Sequence, residues 1–404
     1  MNLRSKREQK ESGFSLFQAF PILHIFSNYT MKAMGADCKS ALNVALLAIP
    51  QGMAYALIAG LPIQYGLLGS SVAALFGSLF SNSRFITLGP TNATSVLLFG
   101  VFASLGLINQ EGMGSEKAIE VLPWILFFAG LFLIVAAILR ISFMIQFVSR
   151  TVITAYVTAA AALIIANQTK HIFGLELDSS DSVATFWQIV YATARVFNEF
   201  SSSAILISGI TAVIFITLQY KLRTLPNVAI TLIIVSVINQ VFKESIGFVH
   251  TLSSFDTSLW LTPDINVKSL NDYGSTILSA SLAIALLCLL EGLSIGKSLA
   301  ARAGSRIQTN RETFSIGMGN IGCSLLSGMP ASGSLTRSSL NVESGAKTSA
   351  SNLYAGIFVI IGYFSLGNIV QYIPIASLAM LVVFIGFSKQ DRSKPFHVPR
   401  ALMP

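Results

Sequence analysis

"GMPASGSLTRSSLNVESGAKT", residues 328–348, interrupts an apolar run with a proline, three glycines and a crowd of hydroxyl side chains, and sets Arg337, Glu343 and Lys347 among them. An earlier string, "LGPTNATS" at residues 88–95, has the same character. Only short apolar segments follow the two strings, so neither reads as an ordinary full-length spanning helix.

The surroundings are lipid-like. Of 404 residues, 53% are hydrophobic and 11% charged, with a mean hydropathy of +0.69; soluble domains carry about 25% charged residues. Apolar spans fall at roughly 40–58, 62–80, 91–107, 121–139, 142–166, 202–219, 226–241, 276–296, 312–327, 335–346, 350–367 and 373–388. Recurring runs of about 20 apolar residues are the signature of a polytopic all-α membrane protein. With the N-terminus placed in the cytoplasm, inside segments collect 20 Lys and Arg and outside segments five, leaving Arg337 within a span. The positive-inside rule predicts that asymmetry. The net charge of +8 therefore reads as topology, and nucleic acid is not an expected partner. No cleavable signal peptide is evident in the polar first 12 residues. Cys38, Cys288 and Cys323 show no paired spacing and read as packing residues. Neither a metal-ligand cluster nor an HExxH string is present among the four His, so an enzyme is not expected.

Non-helical chain inside a bilayer must face protein or a cavity, because an unpaired amide there costs several kcal/mol. Two short helices starting after Gly/Pro breaks present free N–H groups and partial positive charge, an anion-binding arrangement. Paired interrupted segments in two halves of a chain are the sequence pointer to the midplane site of an inverted-repeat transporter. Arg337 lies about one turn into the second short helix, where a cation would reinforce that field. It could equally pair with Glu343 or Glu291 and lock helices together; both readings stand. Gln51 and Tyr55 are four residues apart and share one helix face. Gln51 either lines the site or joins helices through a hydrogen bond.

The stretch from Ala48 to Ser95 resembles the signature region of the sulfate permease (SulP) family, which includes the animal SLC26 anion transporters. Pro50-Gln51, "AGLP" at 59–62, Tyr65-Gly66-Leu67, Ser83-Arg84 and Gly89-Pro90 carry the likeness. "EGLSIGKSLA" at 291–300 and "GSLTRSSLNVESGAKT" at 333–348 resemble the family's eighth and tenth helices. The resemblance implies a seven-plus-seven inverted repeat, a homodimer in the cell (inner) membrane, and elevator-type secondary transport of a sulfate- or bicarbonate-like anion. It implies a cytoplasmic segment 1–38, a transport core at 39–140 and 276–370, and a gate at 141–275 and 371–388. The anion would sit between half-helices 3 and 10, contacted by Gln51 and Tyr55. Amides of Thr91, Asn92 and Ala93, amides of Ser334, Leu335 and Thr336, and Arg337 would complete the site. No cofactor is implied.

Glu291 is a candidate for coupling to H⁺ or Na⁺. Sodium wants several oxygens, and Ile295 and Gly296 supply no hydroxyl one turn on, so protonation is the easier scheme. A static pair of Glu291 with Lys297 or Arg337 is the alternative. After the twelfth span comes "SKQDRSKPFHVPRALMP", a polar tail at 389–404 preceded by Ser388. Helices 13 and 14 and the family's STAS domain are not found there. The expectation is about 12 of 14 spans, and a truncated, non-functional product stands as an alternative to transport. A nucleobase-type proton symporter of the same architecture is a further alternative, which the position of Arg337 opposes.

Overall fold

A computed structural model gives the three-dimensional structure. It describes residues 21–391 apart from 28, 109–112, 141–161, 163–164, 167, 176–185, 222–226, 243, 245–246, 253, 256–262 and 264. Most of the expected span at 142–166, the first 20 residues and the tail from 392 lie outside the described residues.

The described helices, in chain order, are α1 (Pro21–Ser27), α2 (Met31–Ile58), α3 (Ile63–Phe80), α4 (Asn92–Ser104) and α5 (Glu116–Ile138), then α6 (Phe186–Arg195), α7 (Ser202–Lys221) and α8 (Asn227–Val241). There follow α9 (Val267–Arg302), α10 (Thr309–Leu325), α11 (Leu335–Glu343), α12 (Ala350–Leu366) and α13 (Ile375–Asp391). Two two-residue strands, β1 (Leu88–Gly89) and β2 (Ser332–Gly333), precede α4 and α11. Among the described residues, five helices are long and apolar enough to cross a membrane: α2, α3, α5, α7 and α9. The chain divides into two compact units. One draws on the described parts of 21–108, 113–140 and 263–366, the other on those of 162–255 and 367–391.

In the first unit, α4 has 13 residues and α11 has nine. At 1.5 Å per residue they reach only about 20 and 14 Å, well short of a bilayer core of about 30 Å. The core beneath them is apolar and tightly packed: Leu98, Phe102, Leu122, Ile125, Ile277, Ile284 and Ile316 are each at most 1% exposed. Small residues set the closest approaches. A Cβ on Gly66 of α3 would collide with the carbonyl of Gly52 on α2, so glycine is required at that crossing.

Two helices run beyond their apolar stretches. α2 begins at Met31 rather than near residue 40, capped by the Thr30 hydroxyl, which accepts from the Ala33 amide. α9 is 36 residues long and starts after Asn266, whose side chain accepts from Lys268 N. Apolarity marks where lipid would lie, whereas a helix continues until a cap stops it. The added turns of α2 carry Asp37, fully buried. Its carboxylate accepts from Lys347 N (2.5 Å), Thr348 N (3.2 Å), Thr348 Oγ1 (2.6 Å) and the Tyr29 hydroxyl (2.8 Å). Burial and the Asp37 charge push the Tyr29 phenol above its usual range, keeping it a donor.

In the second unit α7 packs on α8 and α13. Thr211 Oγ1 and Ser377 Oγ lie 3.0 Å apart, and Ser208 Oγ donates to Ile172 O at 3.2 Å. Ala204, Ile207, Val235, Val249 and Ala376 form its buried cluster.

Gly66→Val should lower the thermal unfolding temperature of the detergent-solubilised protein. Overpacking at a closed helix crossing costs about 1–3 kcal/mol. An unchanged transition would show that α2 and α3 do not meet at Gly52 and Gly66.

Candidate anion site

Each break in the chain satisfies the other. β1 and β2 pair antiparallel, Leu88 opposite Gly333 and Gly89 opposite Ser332. The flanking backbone groups are then taken one by one. Ser334 N donates to Thr87 O (3.1 Å), and Thr87 N donates to Ser338 Oγ (2.9 Å). The carbonyls of Arg84 and Ile86 accept from Asn341 Nδ2 and Asn352 Nδ2, both at 3.0 Å. Asn320 clamps Ala331 from both sides, Nδ2 to its carbonyl at 2.8 Å and Oδ1 from its amide at 3.0 Å. Buried backbone groups need such partners, and here the sequence places Asn, Ser and Thr inside helices to supply them.

From this pair the two short helices start. Thr91 caps α4 in a capping box: Thr94 N donates to Thr91 Oγ1 (3.3 Å) and Thr91 N to Thr94 Oγ1 (3.1 Å). The Thr91 amide, expected to face an anion, is thus taken by Thr94. Likewise the Ser334 amide, expected to do the same, is taken by Thr87 O. Both are cap positions, where the local fold claims the N–H first. Asn92 and Ala93 lie in the first turn of α4, and Leu335 and Thr336 in that of α11.

Arg337 is 1% exposed. Its Nη2 donates to the carbonyl of Pro90, and its Nη1 lies 3.4 Å from Ser70 Oγ on α3. Among the described residues it has no carboxylate partner, and its Nε is buried without a hydrogen bond. Glu343 is exposed on α11, so the expected Arg337–Glu343 alternative is not formed. Six residues along a helix put the two side chains on different faces. The guanidinium lies against Gly89. A Cβ there would strike Nη1, and the φ of +152° disfavours any L side chain. The positive φ is what calls for glycine at this point, and a Cβ would in addition push the guanidinium aside.

Gln51, also 1% exposed, donates Nε2 to Thr336 Oγ1 at 3.4 Å, so it joins α2 to the first turn of α11. Its Oε1, and Oδ1 of Asn92, have no hydrogen-bond partner among the described residues. Tyr55, one turn after Gln51, lies within electrostatic reach of both Arg337 and Glu291. Glu291 Oε2 accepts the Thr91 hydroxyl at 2.8 Å, which ties a carboxylate of α9 to the cap of α4. Lys297 is exposed. Gln51, Tyr55, Thr91, Asn92, Thr336, Arg337 and Glu291 thus gather around the two helix starts.

Sequence reasoning missed the frame around them. Ser70, Asp37, Asn341, Asn352 and Glu312 all act through partners distant in sequence, and Asn320 acts through Ala331, 11 residues on. Buried Glu312 accepts from Ser81 Oγ (2.9 Å) and Asn82 N (3.3 Å), 231 and 230 residues away. For all but Asp37, which lies before the apolar stretch of α2, a polar residue inside an apolar span was the only signal. The string Gly292–Leu293–Ser294–Ile295–Gly296 matches GxSxG spacing, but it runs inside α9, whereas a nucleophile elbow needs a strand-to-helix turn.

Two broken helices, joined at their starts inside an apolar helical unit, define an inverted-repeat membrane transporter fold. The chain belongs to the sulfate permease family, whose model matches residues 34–395. Sulfate transporter 4.1, chloroplastic, from Arabidopsis thaliana is 29% identical over 355 residues, covering 86% of this chain and 50% of that protein. Solute carrier family 26 member 6 from Homo sapiens is 25% identical over 390 residues, covering 91% and 50%. The chain spans about half the length of these two curated relatives. Among solved structures, the transmembrane domain of a cyanobacterium bicarbonate transporter, BicA, superposes with a TM-score of 0.80 at 18% identity, covering 92% of each chain. The murine Slc26a9 anion transporter in the inward-facing state gives 0.80 at 19%, covering 97% of this chain and 68% of that one. At such identities the likeness is one of fold.

Gly89→Ala should displace the Arg337 guanidinium and strain the backbone before α4. The expected result is a lower unfolding temperature, corresponding to about 1–3 kcal/mol. A variant as stable as the parent would contradict the placement of Arg337 against Gly89.

Proposed function

We propose that the protein is a secondary transporter of small inorganic anions, sulfate- or bicarbonate-like, working by an elevator-type alternation. The observation that carries this reading is Arg337: a guanidinium 1% exposed, without a carboxylate among the described residues, beside two helix starts. A buried charge lacking a counter-charge costs several kcal/mol. A bound anion would remove that cost and gain the partial positive charge of both helices.

The ligands in this reading are the first-turn amides of Asn92, Ala93, Leu335 and Thr336, the guanidinium of Arg337, and the side chains of Gln51 and Tyr55. A half-turn of the Gln51 amide would let Thr336 donate to Oε1 and aim Nε2 at the anion. Thr91 and Ser334 act one step back, as caps holding the helix starts. Relatives named as sulfate transporters and the bicarbonate transporter neighbour support an anion as substrate.

Glu291 is the proposed coupling group, with H⁺ favoured over Na⁺. As a carboxylate it accepts the Thr91 hydroxyl; once protonated it would no longer attract that donor with a full charge, and the cap of α4 would loosen. The same reading places residues 39–140 and 276–370 in the moving transport core and 141–275 and 371–388 in the gate. It also takes the cell (inner) membrane, a cytoplasmic N-terminus and a homodimer from the family likeness.

Uptake of labelled sulfate and of labelled bicarbonate into proteoliposomes tests the substrate class. Arg337→Ala should cut uptake about tenfold or more, corresponding to at least about 1.4 kcal/mol of lost anion binding, while insertion is kept. Full uptake in that variant would rule out a direct role for the guanidinium. In Glu291→Gln, uptake should no longer respond to a pH gradient; a variant that still concentrates substrate on the gradient would make Glu291 structural.

A further inference from the structure

The second unit carries a collar of aromatics that transport of an anion does not use. Helix α6 has ten residues, about 15 Å, too short to cross a bilayer core of about 30 Å. It buries Ile189, Ala192 and Thr193 on one face and turns Trp187 (77% exposed) and Tyr191 (66%) outward. The turn that follows adds Phe197 (45%) and Phe200 (48%), directly before α7 begins at Ser202.

A fifth ring joins them at the same end of α7. Ser201 N donates to Phe173 O at 2.9 Å, fixing the start of the helix. A Cβ on Gly247 would stand 2.8 Å from Ser203 Oγ, so the chain bearing Phe248 (72% exposed) runs past that first turn. Below this rim the exposed face of α7 is aliphatic, with Leu206 and Val213 at 49% and 65%.

Water, hydrocarbon and protein each fit this surface poorly. Water would leave five large rings exposed. Hydrocarbon would strand the exposed Asn198 and Glu199, which sit between Phe197 and Phe200. The core of a protein contact is depleted in charge, yet here a carboxylate interleaves with the rings. The headgroup layer accepts both, since Trp and Tyr place their apolar bodies toward the chains and their polar tips toward water. We propose that residues 186–200, with Phe248, lie in the phospholipid headgroup layer, α6 flat in its plane as an amphipathic anchor at the rim of the lipid-facing helix α7.

The test uses the full chain with Trp124→Phe and Trp260→Phe, leaving Trp187 as the single tryptophan, in phosphatidylcholine vesicles. Bromine placed on the acyl chains near the glycerol end should quench Trp187 several-fold more than bromine near the terminal methyl. Aqueous iodide should quench it several-fold less than free tryptophan. Strong iodide quenching without bromine quenching would make the segment a water-exposed loop and overturn the proposal. Protection from both quenchers would indicate a second copy or another protein, and would overturn it equally. Trp124 Nε1 donates to Asn266 O at 3.0 Å. Should its loss disturb folding, the difference in emission between the unmodified chain and Trp187→Phe carries the same readout. Tyr191→Trp, in a chain with the native tryptophans replaced by Phe, should report the same shallow depth.

Discussion

The pairing of Leu88–Gly89 with Ser332–Gly333 is the interaction on which the first unit depends. Chain that leaves the helical conformation inside an apolar environment exposes amides and carbonyls that nothing there can satisfy. Here two such departures, more than 240 residues apart, satisfy each other. The pair alone does not suffice, so Asn320, Asn341, Asn352 and Ser338 reach from neighbouring helices to the backbone groups left over. These contacts let α4 and α11 begin in mid-unit.

The same constraint sorts the helix-start groups. Amides at the cap positions Thr91 and Ser334 are drawn into the frame. Arg337 is divided in a similar way. Two of its nitrogens contact the frame through Pro90 O and Ser70 Oγ, while among the described residues its charge has no carboxylate against it. Frame and site thus share residues, and substitutions at Thr91, Gly89 or Ser70 act on both together. Glu291 enters this arrangement through the Thr91 hydroxyl, so a carboxylate on α9 bears on the cap of α4.

Much of this was legible in the chain. Gly/Pro strings at 88–95 and 328–334 act locally on φ and ψ, and the helices break there. The shortness of α4 and α11 follows from where the next polar turn falls. Helix ends were less legible, because α2 and α9 continue past their apolar stretches until Thr30 and Asn266 cap them. Asp37 shows why: its value lies in amides 310 and 311 residues away, which no local pattern announces.

The sequence by itself determined that this is a membrane chain, where its helices are interrupted, and that one arginine lies beside an interruption. Those properties belong to single segments and to the solvent they prefer. Only the tertiary structure decided that the interruptions meet, which amides the meeting consumes, and that Arg337 is held by a carbonyl and a hydroxyl, with Glu343 turned away. Partnership between groups hundreds of residues apart is set by packing in three dimensions, because a hydrogen bond acts over about 3 Å whatever the length of chain between its ends.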